Sequence, residues 1–160
     1  MNSTAGNGVN PQIDREIYAM PMFVTLPVPN FGEMETFYHS LGFITLATIP
    51  DEAGATSLIH LRRQRYQDIL LVSGEAEPGS TTVTFAAHGE DLDLIAQHAS
   101  AEMPGKASVT GPVETPWFTS DLQILDPCGN KIVFTKQITE AATRAQEWTK
   151  GFGGEFTDHE

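Results

Sequence analysis

Alternating apolar and polar positions predict two successive groups of strands, each interrupted by one amphipathic helix. In the first group, β-favouring side chains alternate over residues 22–28, and Asn30 with Glu33 gives a capping-box-like start to a helix that ends at Gly42. Three short segments with strand composition follow, at residues 43–49, 56–62 and 68–73. The predicted order of this group is βαβββ.

The second group repeats that order. Residues 81–87 have strand composition, and apolar positions from Leu92 to Met103 recur at helical spacing before Gly105. Three more strands are predicted at residues 107–113, 117–125 and 131–136, with a hairpin turn, DPCGN, between the last two. The segment FVTL at 23–26 also aligns with TVTF at 82–85, which indicates a tandem repeat.

This order predicts one α+β domain over residues 17–137. Two tandem βαβββ modules, at about 18–73 and 81–137, are expected to form a curved mixed sheet around a cavity, with the helices on its outer face. Residues 1–16 are polar and rich in Gly and Asn, so we expect a disordered leader that is not a signal peptide. Residues 138–160 are expected to form a C-terminal helix and a flexible tail.

Charge and cysteine content narrow the classes of partner. The chain has nine basic and 21 acidic residues, and its formal charge of -12 disfavours nucleic acid and anionic membranes because both repel a negative surface. A neutral or cationic small ligand fits this surface better. Cys128 is the one cysteine, so no intrachain disulfide is possible and the cytoplasm is the expected location. No apolar run approaches the roughly 20 residues of a membrane span.

Two segments resemble a known superfamily. They are VTLPVPNFGEMETFYHSLGF at 24–43 and GPVETPWFTSDLQILDPCGNKIVF at 111–134. The first is similar to the opening strand and helix of the vicinal oxygen chelate superfamily, which includes glyoxalases, bleomycin resistance proteins and extradiol dioxygenases, and the second is similar to its closing hairpin. The resemblance covers residues 18–137 and implies the same paired-module fold.

The resemblance also indicates where a metal would bind. Metal-dependent members usually carry a His, Glu or Gln on the first strand of each module and another on the last strand, all facing the cavity. The matching positions here are Phe23, Thr82, Val133 and Leu70. Together they offer one hydroxyl and none of the nitrogen, thiolate or carboxylate donors that a divalent ion requires. We therefore expect no metal and no other cofactor.

Aromatic and polar residues at inward-facing positions form the candidate ligand site. Trp117 and Phe118 open a predicted strand, so alternation directs one of them into the cavity, although both could be ordinary core aromatics. The strand register leaves open whether His60 faces the cavity or the helix. Phe43 and Tyr66 are expected at the rim. The candidate ligand-binding residues are Phe23, Thr25, Phe43, His60, Tyr66, Thr82, Thr84, Trp117, Phe118, Asp121, Gln123 and Val133.

Two classes of function are compatible with these residues. The resemblance is greatest to metal-free antibiotic-binding resistance proteins, which implies a homodimer with cavities at the subunit interface. Such a protein would bind and sequester an aromatic natural product or antibiotic without catalysis, giving self-resistance or drug resistance. The sequence does not choose between a bleomycin-like glycopeptide, a mitomycin-like quinone and a polycyclic quinone. The alternative is an enzyme of the same fold, with metal ligands at other positions or cofactor-free and acting through His60 or a carboxylate.

Overall fold

The structure contains the two βαβββ modules that the sequence predicts. The computed structural model describes residues 13–17, 20–102 and 105–151. The first module consists of β1 (Phe23–Val28), α1 (Phe31–Ser40), β2 (Ile44–Pro50), β3 (Thr56–Arg63) and β4 (Gln67–Ser73). The second consists of β5 (Thr82–Ala86), α2 (Leu92–Glu102), β6 (Ser108–Glu114), β7 (Thr119–Leu125) and β8 (Lys131–Gln137). The α+β class and the tandem repeat are therefore confirmed.

A 3-10 turn (Thr139–Ala141) and α3 (Ala142–Thr149) follow the second module. This agrees with the helix predicted after residue 137. Most of the predicted leader and most of the predicted tail, residues 1–12 and 152–160, lie outside the described residues, as does Met103 of the predicted second helix. None of the described helices is long and apolar enough to cross a membrane.

Short polar side chains begin the two longer helices. Asn30 Oδ1 accepts the backbone N–H of Glu33 at 3.0 Å, which is the N-cap bond that the pattern predicts for α1. Asp91 Oδ1 plays the same role for α2 and accepts the N–H groups of Asp93 at 3.0 Å and Leu94 at 3.2 Å. Each bond satisfies a backbone donor that has no partner within its helix.

The strands form two separate four-stranded sheets. Sheet 1 has the order β1-β4-β3-β2 and sheet 2 the order β5-β8-β7-β6. In each sheet one pair is parallel, β1 with β4 and β5 with β8, and the other pairs are antiparallel. The predicted curved sheet is thus divided in two, because β1 and β5 are edge strands whose ladders end there.

Each sheet packs one face against the helices and turns the other face away from them. Along β1, Leu26 and Val28 are buried, whereas Phe23 is 50% exposed. Along β5, Phe85 is buried while Thr82 and Thr84 are exposed. This is the predicted alternation, with apolar residues towards the helices. The free face of each sheet is the face that carries Phe23 and Thr25 in sheet 1, or Thr82 and Thr84 in sheet 2.

One apolar core joins the buried faces of both sheets to α1 and α2. A chain of aromatic rings runs through it, from Tyr38 to Phe43 to Phe85 to Phe134, with centroid separations of 5.6, 5.6 and 6.1 Å. The first two contacts are edge-to-face, a favoured geometry for such rings. Phe43 is only 2% exposed, so it belongs to this core and does not lie at the rim of a cavity, as the sequence had suggested.

The DPCGN turn is fastened to the first module by a buried hydrogen bond. The Tyr38 hydroxyl donates to Asp126 Oδ2 at 2.6 Å, and Asp126 Oδ1 accepts the backbone N–H groups of Cys128 and Asn130, both at 2.9 Å. Burial, and then the Asp126 carboxylate, raise the pKa of Tyr38 well above its usual range. Gly129 adopts φ +84, and a Cβ there would lie 2.7 Å from Pro78 Cβ, so the turn requires glycine.

A buried ion pair also connects the modules. Arg63, at the end of β3, donates from Nη2 to Glu90 Oε2, and its guanidinium lies 4.3 Å from the centroid of the Phe134 ring. Burial lowers the pKa of Arg63 to about 10 and raises the pKa of Glu90. For both groups, the pKa shift has the direction expected when burial removes hydration from the charged form, and the attraction between the two charges offsets this only in part. The pair therefore fixes the relative position of the modules at an energetic cost.

Glu90→Leu is expected to lower the free energy of unfolding by about 3 to 5 kcal/mol, because it leaves the buried Arg63 guanidinium without its counter-charge. Urea denaturation measures the change. Glu33→Gln is the matched control, since it breaks an exposed pair with Lys106 at 2.8 Å and should cost about 1 kcal/mol or less. Equal losses in the two variants would contradict this account of the Arg63–Glu90 pair.

Candidate ligand-binding site

The free face of sheet 2 collects five of the predicted site residues. The strand register places Thr84 beside Val133, and Val133 beside Gln123. Asp121 lies two residues before Gln123 and Thr82 two residues before Thr84, so all five side chains share this face. The face combines hydroxyl, amide and carboxylate groups around an apolar centre. Such a mixture suits recognition of a small molecule.

Hydroxyl groups hold the Asp121 carboxylate in place. Its Oδ1 accepts hydrogen bonds from Thr119 Oγ1 at 2.8 Å and from Thr135 Oγ1 at 2.5 Å. Thr119 Oγ1 in turn lies 2.9 Å from Thr115 Oγ1. The bonds from Thr119 and Thr135 both go to Oδ1 and hold the carboxylate in place before any ligand arrives, which lowers the ordering cost of binding.

The structure separates the two aromatic residues that precede β7. The strand begins at Thr119, two residues later than predicted, because Phe118 adopts φ +67 and ends a turn closed by Thr115. The Phe118 ring packs edge-to-face on Trp148 of α3, with centroids 6.0 Å apart. Trp117 stays 53% exposed at the turn. Trp117 is therefore not a core aromatic. Because both residues precede β7, the alternation of side chains along that strand does not determine where either aromatic side chain points.

On sheet 1, the register decides the orientation that the sequence left open. His60 pairs with Leu70, and Leu70 pairs with Thr25, so the His60 side chain lies on the free face and not under the helix. It is nevertheless buried, with 4% of its surface exposed. Its Nε2 is 3.3 Å from Asp68 Oδ2, but makes no hydrogen bond within the described residues.

Arg62 and Asp68 belong to the same face and escaped the sequence analysis. Arg62 Nε and Nη2 donate to the two oxygens of Asp68 at 2.6 and 2.9 Å, and both residues are buried. The register puts Phe23, Asp68 and Arg62 in one row across the sheet. The sequence contained a signal for the Arg62–Asp68 pair. Arg62 stands two residues after His60, so the two side chains share one face of the strand, and a charged residue inside a strand needs a partner.

A cleft opens at the seam between the two edge strands β1 and β5. Its volume is about 190 Å³, and we call it the seam cleft. Gln67 Nε2 bridges the modules beside it by donating to the carbonyl of Ala86 at 2.7 Å. The lining is mostly apolar, with one carboxylate. Its lining residues include Phe23, Val24, Tyr66, Asp68, Thr84 and Phe85.

The predicted site is thus distributed and not gathered around one point. Phe23, Tyr66 and Thr84 meet at the seam cleft, which Thr25 adjoins on the free face of sheet 1. Within the described part of the chain, no group of three or more His, Cys, Asp or Glu residues is placed to hold a metal ion. The arrangement offers stacking surfaces and hydrogen-bonding groups.

The paired βαβββ modules are the fold that the resemblance to the vicinal oxygen chelate superfamily implies. Structural comparison agrees: an antibiotic-binding protein from Streptomyces sp. CB03234, TnmS3, superposes with a TM-score of 0.59 at 23% identity, covering 77% of this chain and 99% of that one. A bleomycin-binding protein in complex with bleomycin gives a TM-score of 0.56 at 16% identity, with 73% and 98% covered.

The similar structures also include a metal-containing protein. The fosfomycin resistance protein FosX from Listeria monocytogenes, complexed with Mn(II), gives a TM-score of 0.57 at 12% identity and covers 78% of this chain and 97% of its own. Identities this low show the shared fold alone. No protein-family model and no curated protein matches the sequence.

Cys128 should react slowly with iodoacetamide at pH 8, because the thiolate is the nucleophile and burial, followed by Asp126 and Glu33, raises the thiol pKa to about 11. The rate should rise about tenfold per pH unit until it levels near pH 11. Mass spectrometry of the single-cysteine chain follows the reaction, and the urea-unfolded chain is the control. Equal rates for folded and unfolded protein at pH 8 would show that the thiol is not shielded.

Proposed function

We propose that this protein binds and sequesters an aromatic natural product or antibiotic in the cytoplasm without catalysis, and so confers self-resistance or drug resistance. The observation that supports this most is the pair of free sheet faces flanking an apolar seam cleft. Phe23 and Trp117 each expose about half of their surface, Phe23 in the lining of the seam cleft and Trp117 in the turn before β7. Exposed aromatic side chains next to fixed polar groups are typical of ligand sites.

Three further features favour a binder over an enzyme. Among the described histidines, His60 is the one on a free face; it is buried against Asp68, and Arg62 already neutralises that carboxylate. It is therefore poorly placed to take a proton from a substrate. The formal charge of -12 favours a neutral or cationic ligand. The similar structures include an antibiotic-binding protein and a bleomycin-binding protein.

We further propose that two copies form a homodimer that closes the site. Among the described residues, α1 and α2 pack against the opposite face of each sheet. Both faces or their edges carry exposed apolar side chains, among them Phe23, Ile49, Val113 and Leu125. Contiguous exposed apolar surface is typical of an interface. Pairing the free face of sheet 1 in one copy with that of sheet 2 in the other would enclose a cavity between subunits.

Ligand binding is expected to quench Trp117 but not Trp148. The chain has two tryptophans, so Trp148→Phe leaves Trp117 as the single indole, and Trp117→Phe leaves Trp148. A panel of aromatic antibiotics, with bleomycin and a mitomycin-type quinone included, is titrated into both variants. Trp117→Ala should weaken binding about tenfold, since stacking on an aromatic side chain contributes about 1 to 3 kcal/mol.

The same panel tests the proposed function as a whole. A ligand that binds only the folded chain raises its melting temperature by mass action. Turnover of any panel member, followed by mass spectrometry, would contradict the non-catalytic assignment. A panel that neither quenches fluorescence nor shifts the melting temperature would contradict binding itself.

Sedimentation velocity is expected to show a species of twice the 17.4 kDa chain mass. Val113→Glu puts a carboxylate beside Asp121 on the free face of sheet 2 and should shift this species to monomer, because the added charge loses its hydration at the interface. Gln97→Glu adds the same charge on the exposed side of α2 and serves as the control. A wild-type monomer at 100 µM, a concentration on the order of a weak Kd, would rule out the dimer.

A further inference from the structure

An N-terminal segment lies against the free face of sheet 1. We call residues 13–17 the strap. Arg62 Nη1 donates hydrogen bonds to the carbonyl oxygens of Asp14 at 2.9 Å and Glu16 at 2.8 Å. The Tyr66 hydroxyl donates to Asp14 Oδ2 at 3.2 Å. The amino-acid composition predicts that residues 13–16 belong to a disordered leader. In the structure, these three bonds attach them to the folded domain.

The group that the strap contacts is rigid and buried. Arg62 has no exposed surface, Asp68 holds the opposite edge of its guanidinium through two hydrogen bonds, and the Tyr66 ring centroid is 5.5 Å away. Two strap carbonyls accept from its Nη1. His60, in the neighbouring row of the same face, is 4% exposed and its Nε2 lacks a hydrogen-bond partner among the described residues. His60 Nε2 lies 3.3 Å from Asp68 Oδ2, so His60 belongs to the same buried polar group as Arg62 and Asp68.

We propose that the strap occupies a ligand half-site on sheet 1, and that a flat ligand with a conjugated carbonyl oxygen displaces it by accepting the Arg62 Nη1 hydrogen bonds. This inference rests on the proposed function and specifies its ligand class. The strap presents neutral carbonyl oxygens to Arg62, and the acidic protein repels anions, so a neutral carbonyl is favoured over a carboxylate.

The position of the seam cleft supports the same ligand class. Phe23 and Asp68 line the cleft and stand in the same cross-strand row as Arg62. A ring stacked on Phe23 would lie beside Asp68, which stands between Phe23 and Arg62 in that row, and a carbonyl on that ring is the group that we expect to approach Arg62 when the strap leaves. The strap acts as a competitor built into the chain, and its occupancy lowers the apparent affinity of the ligand.

Xanthone and xanthene test the carbonyl requirement. The two molecules share one tricyclic skeleton, and xanthene has a CH2 group where xanthone has the carbonyl. Equilibrium dialysis of the full chain should show xanthone binding about tenfold or more tightly, as hydrogen bonds to a charged donor are strong. Hydrogen exchange provides the second measurement. The backbone amide of Glu16, which donates to Asp14 Oδ1, should lose protection when xanthone is bound and keep it with xanthene at the same concentration.

Asp14→Ala and Glu16→Ala form a matched pair for the strap. Each removes one carboxylate from the same segment, but only Asp14→Ala removes the bond from Tyr66 and the bond between Asp14 Oδ1 and the Glu16 N–H. Asp14→Ala should tighten xanthone binding roughly two- to tenfold by weakening the competitor. Glu16→Ala should leave it unchanged. Both substitutions keep the backbone carbonyls that accept hydrogen bonds from Arg62.

Equal affinity for xanthone and xanthene, or strap protection that xanthone does not change, would overturn the inference while the proposed function stands. So would an Asp14→Ala variant that binds xanthone no better than Glu16→Ala. Absence of binding by both probes would overturn the carbonyl half-site, and the antibiotic panel decides the proposed function independently.

Discussion

The structure depends on one constraint: both sheets bury one face in a single shared core. The aromatic chain from Tyr38 to Phe134 and the apolar faces of α1 and α2 close that core without using the opposite faces of the sheets. The helices α1 and α2 both lie on the core side, and on the other side the structure describes residues 13–17 against sheet 1. Two free faces are therefore a consequence of how the core is built, and they are the surfaces on which a site can form.

Buried polar contacts then determine how the modules sit relative to one another. The Arg63–Glu90 pair and the Tyr38–Asp126 hydrogen bond each join one module to the other. Apolar packing alone is tolerant of small rotations, whereas a buried charge must meet its partner at a defined distance. The seam cleft lies between the edge strands of the two modules, so its width depends on these contacts.

The two free faces differ in chemical character. Sheet 2 presents hydroxyl and amide groups around Val133, with the Asp121 carboxylate already oriented by Thr119 and Thr135. Sheet 1 presents a buried charged cluster of His60, Arg62 and Asp68, to which the strap is attached. A site formed from both would contact a ligand through apolar, neutral polar and cationic groups, which gives selectivity beyond stacking.

The sequence alone determined the elements, their tandem order and the buried side of β1 and β5, because strand alternation, the Asn30 cap and the DPCGN turn are local signals. It also identified Thr82, Thr84, Asp121, Gln123 and Val133 as one face. Tertiary structure decided the rest. Phe43 entered the core, Phe118 turned towards α3, and Arg62 joined residues 13–17 to sheet 1. These outcomes follow from contacts between residues far apart in the chain, which no local pattern records.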